Sequence, residues 1–360
     1  MKKLFLLALI SLFVLGACGK KAEEPAANDA KPEAAADAKA GDAAGEEAKA
    51  DDAKADEADP FAGMDKKKYD EAVKGMTNEE RNAFELKALK HSDPQIRRLP
   101  MVNMTYNLEK GSKSEKADAL LYILQNETDP EVLTTALRSN MNNLTVSNDF
   151  YEAYKKHAAS DNADIRMAAM YGIINSNNHS VEGIEDEGIK FLDDKDARIS
   201  SGACKELLSN KYTSAMPKIE EIMKSSTDEV MLETCAKGLM DLWYYAPFFK
   251  EFDAKAYQLT LDYLKKTPRT KNLPGWSIIS TLTKAPKDEW KELAKEFNAK
   301  DLVAALSEIV KDDVAGKLSR EYSIKAIAVH GTKADLEALD KAVTDENVKK
   351  EIAKAMETAK

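Results

Sequence analysis

The stretch "SDNADIRMAAMYGI", residues 160–173, decides how this chain folds. A polar turn with two aspartates gives way to Ile165, then Arg166, then the small residues Ala168, Ala169 and Gly172, and Ile173. Apolar and small residues at three- and four-residue spacing describe one face of a helix that approaches a neighbour closely. The same pattern recurs along the chain. "SDPQIRRLPM" begins at Ser92, "TDPEVLTTAL" at Thr128, "DDKDARISSGACKELL" at Asp193, "STDEVMLETCAKGL" at Ser226 and "TDENVKKEIAKAM" at Thr344. Its aliphatic anchors are Ile96, Val132, Ile165, Ile199 or Ala197, Val230 or Met231, and Val348. The first five recur every 32 to 36 residues, a period that marks stacked helical hairpins.

Between these elements lie amphipathic stretches at Lys116–Gln125, Phe150–Ala158, Gly188–Leu192, Met216–Lys224, Tyr257–Lys265, Leu302–Val310 and Leu336–Val343. They supply a second layer, because one hairpin cannot bury its apolar stripe alone. Thr77 with Glu80, Ser112 with Glu115, and Thr332 with Asp335 have capping-box spacing at helix starts. Strand signals are scarce. The reading is all-α: a solenoid of about seven or eight helix pairs, with 61–82 as an N-terminal cap and 83–360 as the repeat domain.

The run Asp164-Ile165-Arg166 with Ala168, Ala169, Gly172 and Ile173 resembles HEAT and HEAT-like repeats. The resemblance implies that the aliphatic residue opens the second helix of each pair. It also implies that arginine bonds within the turn or to the neighbouring repeat, a role open to Arg97, Arg166 and Arg198. Val132, Met231 and Val348 are not followed by arginine, so the pattern is degenerate there.

Two stretches interrupt the array. "WYYAPFFKEF", Trp243 to Phe252, holds six aromatics in ten residues, after which the period passes forty. Local packing where the stack changes curvature is the plainer reading. The other leaves Trp243, Tyr244, Tyr245, Phe248 and Phe249 exposed as a partner-binding patch, because Trp and Tyr dominate interaction hot spots. "PKDEWKELAKEF", Pro286 to Phe297, reads as an extra helix with Trp290, Leu293, Ala294 and Phe297 on one face.

The chain begins MKKLFLLALISLFVLGAC, with Lys2 and Lys3 ahead of the apolar run Leu4–Leu15. Such a run is too short for a membrane-spanning helix, which needs roughly 20 residues. The charged start, apolar stretch and small residues before a cut form an export signal over 1–17. Leu15-Gly16-Ala17-Cys18 resembles the lipobox of bacterial lipoproteins, which implies cleavage before Cys18 and acylation of its thiol. Membrane lipid is then a partner through acylated Cys18, since two or three chains anchor firmly. Gly19 stands where an Asp tends to retain Gram-negative lipoproteins in the inner membrane, so the resemblance points to the outer membrane.

Residues 18–60 follow as a tether of Ala, Asp, Glu and Lys without Val, Ile, Leu, Phe, Tyr or Trp. With no apolar face, nothing offsets the entropy of ordering them. Residues 19–60 hold 13 acidic and 6 basic residues. Of the net charge of −10, the folded part therefore carries only −5. Net acidity and export exclude a nucleic-acid partner. Cys204 and Cys235 are the remaining thiols, in a compartment that permits disulfides. Packed helix axes lie about 8–10 Å apart and a bridge needs Cα atoms about 5.5 Å apart. That comparison favours two buried, unbridged cysteines.

No residue pattern carries catalysis. The histidines His91, His157, His179 and His330 are scattered and read as helix-surface residues, with no HExxH or zinc spacing. There is no GxSxG elbow, phosphate-binding glycine loop or EF-hand loop, so neither a cofactor nor a metal is expected. Two function classes remain. One is a non-enzymatic, envelope-anchored scaffold that holds an unknown envelope protein or peptide on a helical-repeat surface. The other is an enzyme or enzyme accessory with a site assembled from dispersed residues, since some HEAT-like repeats belong to chromophore lyases.

Overall fold

The chain divides into two units, Met1–Glu57 and Ala58–Lys360. The computed structural model describes residues 59–102, 104–245, 251–266, 276–284, 290, 294–295 and 297–359. The signal, Cys18 and the tether as far as residue 58 lie outside the described residues, as does most of the extra helix at Pro286–Phe297.

Among the described residues there are seventeen α-helices and no strand. After α1 (Lys66–Val73) they run in eight pairs. These are α2 (Asn78–Leu89) with α3 (Pro94–Arg98), α4 (Glu115–Asn126) with α5 (Pro130–Ser139), and α6 (Asn148–Ala158) with α7 (Ala163–Ile173). Next come α8 (Ile184–Lys190) with α9 (Ala197–Ser209), and α10 (Met216–Ser225) with α11 (Glu229–Trp243). The last three are α12 (Ala254–Lys266) with α13 (Trp276–Leu282), α14 (Ala299–Lys311) with α15 (Lys317–His330), and α16 (Lys333–Ala342) with α17 (Glu346–Met356).

Each second helix packs on the second helix of the next pair, unbroken from α3 to α17. Among first helices, α2 packs on α4, α4 on α6, α10 on α12, α12 on α14 and α14 on α16. The two layers enclose a continuous core from Leu89 to Ala355. This is the all-α stack of helix pairs that the period predicts. Phe61, Tyr69, Ala88, Ile96 and Leu99 form a small separate core at the amino-terminal end. The expected boundary at 82/83 falls inside α2, so the cap and the first pair are one packing unit.

One device starts most of the second helices. Asp93, Asp129, Asn162, Asp196, Asp228 and Asp345 each sit in extended backbone and accept hydrogen bonds from N–H groups two or three residues on. These side chains satisfy amide groups that the helix itself leaves unpaired. The third residue after each cap is the anchor: Ile96, Val132, Ile165, Ile199, Met231 and Val348. Of the two ambiguous positions, Ile199 is fully buried, and Val230 is 64% exposed while Met231 packs on the core.

The fourth residue after the cap locks adjacent repeats where it is arginine. The Arg97 guanidinium donates to the carbonyls of His91 and Ser92 and to Glu127 in the next turn, at 2.7–3.0 Å. Arg166 repeats this with the carbonyls of Ser160 and Asp161 and both oxygens of Asp194, at 2.8–3.0 Å. Arg320, fourth after Gly316, joins the Val310 carbonyl to Asp345. Arg198 also bonds its own turn and the neighbouring repeat, as expected, but from another position. It lies second after its cap, exposed, and bonds Asp196 and Asp164.

The reading of two unbridged cysteines is overturned. Cys204 of α9 and Cys235 of α11 form a disulfide, with Cα atoms 5.1 Å apart. Gly238 explains the approach: a Cβ there would lie 2.9–3.0 Å from Leu208 side-chain atoms and the Lys205 Cα. Two backbones that meet across a glycine come closer than average helix spacing allows. Gly172 makes a similar contact in α7, where a Cβ would strike the Tyr154 ring.

Candidate interaction surface

A second helix buries its third, fourth and seventh residues after the cap. It therefore turns the second and ninth outward, with the thirteenth half-buried on the same stripe. The ninth residues are Arg138, Tyr171, Lys205, Lys237 and, further on, Lys325 and Lys354. Because α5, α7, α9 and α11 pack in succession, the first four lie side by side across the stack. Tyr171 is 38% exposed in this line of cations. Burial and then Glu206 push its hydroxyl pKa up, and Lys205 and Arg138 oppose them. Several of the lysines are paired locally: Lys205 with Glu206 at 3.2 Å, Lys237 with Glu233 at 3.4 Å, and Lys354 with Glu351 at 2.7 Å.

The thirteenth residues are Asn142, Asn175, Ser209 and Asp241. They bond between repeats. Asn142 donates to Asn107 and accepts from Asn175 at 3.0 Å, and Ser209 donates to the Asp241 carboxylate. Burial raises the Asp241 pKa, against the hydrogen bond from Ser209 and the charge of Lys205.

The aromatic run divides. Trp243 is fully buried, donates its indole N–H to Thr260 at 3.0 Å and accepts the Trp290 indole N–H on its carbonyl at 2.7 Å. Its ring packs on Tyr257 at 5.0 Å and Phe297 at 6.2 Å. Tyr244 is 6% exposed, and its hydroxyl donates to the Lys284 carbonyl. Trp243 and Tyr244 are therefore core residues and not part of an exposed binding patch. Large rings fill the wider gap left where the period lengthens. Tyr245 is 36% exposed, held edge-on against Tyr244 at 5.8 Å and hydrogen-bonded to Thr281. Phe248 and Phe249 lie outside the described residues.

His157 and His330 are joints between helices and not surface groups, which corrects the sequence reading for those two; His179 is exposed and His91 half-buried. His157 is buried and donates from Nε2 to the Leu124 carbonyl in the preceding first helix. His330 contacts the Leu282 carbonyl and the rings of Tyr244 and Phe297. His179 stacks on Tyr212 at 4.4 Å and bonds the Asn210 carbonyl, while His91 accepts from the Asp93 N–H. Burial lowers the pKa of His157 and of His330.

Among the described residues, no group of three or more His, Cys, Asp or Glu is placed to hold a metal. No described helix is long and apolar enough to cross a membrane. The outward stripe was legible once the caps were assigned, since its members repeat at fixed distance from an Asp or Asn. Reading from the anchors alone missed it.

No family model matches this chain, and no curated protein matches it. Two solved structures of engineered proteins are similar to it. One has 14% identity and a TM-score of 0.33 over 82% of this chain and 99% of that one. The other has 17% identity and a TM-score of 0.25 over 76% of this chain and 94% of that one. Likeness at that level carries no argument about this protein.

Proposed function

We propose that this chain is a lipid-anchored scaffold of the bacterial envelope, built of HEAT-like repeats, that binds a protein or peptide on its second-helix face. The observation that carries the reading is the outward stripe of that layer. It sets Arg138, Tyr171, Lys205 and Lys237 in line on a rigid stack, with Tyr245 exposed at the end of α11. Rigid elements presenting aromatic and charged groups lose little entropy on binding an extended partner.

Two independent features support an extracytoplasmic setting. One is the lipobox-like Leu15-Gly16-Ala17-Cys18 behind an export-type signal. The other is the Cys204–Cys235 disulfide, of a kind that persists mainly in oxidising compartments.

The test is site-specific photocrosslinking in intact envelopes. A benzophenone amino acid at Tyr171 should capture a discrete partner. The same probe at Tyr122, an exposed tyrosine of the first-helix layer in α4, should not. Equal capture at both positions, or none at Tyr171, removes the reading.

A further inference from the structure

We propose that Asp241, backed by Ser209 and close to the exposed ring of Tyr245, receives a lysine or arginine side chain of the bound partner. This rests on the reading that the second-helix face is the binding surface, and it deepens that reading by naming the chemistry recognised.

The carboxylates set deep in the stack elsewhere have a cation against them. Glu85 has Arg81 at 2.8 Å and Lys116 at 2.5 Å, Glu127 has Arg97 at 2.7 Å, and Asp194 has Arg166 at 2.8 Å. Asp241 differs. Among the described residues its hydrogen-bond partner is the neutral Ser209 hydroxyl, and no cation stands within ion-pair distance. The two candidates are occupied, Lys205 of α9 by Glu206 and Lys237 of its own helix by Glu233. One partly buried negative charge is thus left without a direct ion pair, with Lys205 acting on it only from beyond contact distance.

A charged hydrogen bond to such a group is about twice as strong as a neutral one. Burial that disfavours the bare carboxylate gives an incoming cation more to relieve. Tyr245 suits the same ligand, because an aromatic face attracts a lysine or arginine head and covers its alkyl stem. Tyr245 is already fixed by Tyr244 and Thr281, so its ring is in place before binding.

The experiment uses the full chain in detergent micelles and fluorescein-labelled decapeptide pools, randomised except for a fixed central Lys, Arg, Gln or Glu. The Lys and Arg pools should bind at least tenfold more tightly than the Gln and Glu pools. Asp241→Asn should abolish that preference with a melting temperature unchanged or raised. Equal binding of all pools, binding by none, or a preference kept in Asp241→Asn overturns the inference. Sequencing the segment captured by the Tyr171 probe separates the two readings. A captured segment without lysine or arginine sinks the Asp241 assignment and leaves the surface standing, whereas no capture removes both.

Discussion

Two regions of the stack join successive helix pairs by opposite means. From Asp93 to Tyr212 the joints are polar. Arg97 and Arg166 bind their own turn and the next, and Asn107, Asn142 and Asn175 bond in series. From Trp243 to His330 the joints are mainly aromatic, with Trp243, Tyr257, Trp290, Phe297 and His330 in mutual ring contact or one step removed, and Arg320 is the polar joint at the far end. The difference follows from spacing. A guanidinium bridges two turns only when both sit at fixed distance, as they do where the period stays near 34 residues. Where the chain inserts extra residues, large rings fill the space without needing an exact partner. Polar joints specify register; aromatic joints supply bulk burial.

The comparison can be broken first at its aromatic end. Trp243→Ala removes a fully buried ring and its buried indole hydrogen bond to Thr260, so it should cost about 3–5 kcal/mol in chemical denaturation. A loss below about 1 kcal/mol would mean that the aromatic region does not hold the stack.

Breaking a polar joint should cost somewhat less. Arg166→Ala leaves Asp194 without its cation and should destabilise by about 3 kcal/mol. Replacing both Arg166 and Asp194 by leucine should recover much of that loss. If the double variant is as unstable as the single one, the joint acts by more than mutual neutralisation.

The disulfide lies between the two regions and sharpens the contrast. Cys204→Ala with Cys235→Ala should lower stability by about 2–3 kcal/mol, mainly by freeing the unfolded chain. Unfolding midpoints with and without reductant should converge in the double variant.

The smallest effect is one of pH. His157 has a folded pKa held below its ordinary 6.5 by burial, so the unfolded chain binds a proton more readily. Its contribution is fully present above pH 6.5 and is lost as pH falls below that value. Asp194 behaves in a lower window. The Arg166 hydrogen bond holds it below its ordinary 3.8, so its contribution is complete above pH 3.8 and disappears only as pH drops further. His157→Gln should flatten the upper step in melting temperature against pH and leave the lower one.

The repeat period, the paired layers and the helix starts were legible in the residues, because an Asp or Asn cap and an aliphatic anchor are local signals. Arg97 and Arg166 could be assigned their role from the neighbouring turn. Arg320 was missed because its helix starts at Gly316, without a capping side chain to mark the register. The aromatic run could be seen but not sorted, since Trp243, Tyr244 and Tyr245 are alike in sequence. Only the geometry of α11 and its neighbours buries two and exposes the third.

By itself, then, the sequence determined the all-α class, the eight-pair stack within its estimate of seven or eight, and the period, all of which depend on spacing along one chain. Tertiary structure alone decided what depends on distances between chain segments. Cys204 meets Cys235 because Gly238 lets two backbones close to 5.1 Å between Cα atoms. Among the described residues Asp241 stands without a direct ion pair because Lys205 and Lys237 contact Glu206 and Glu233 instead. Periodicity says which face a residue takes; which partner it meets there is set by how closely the helices pack.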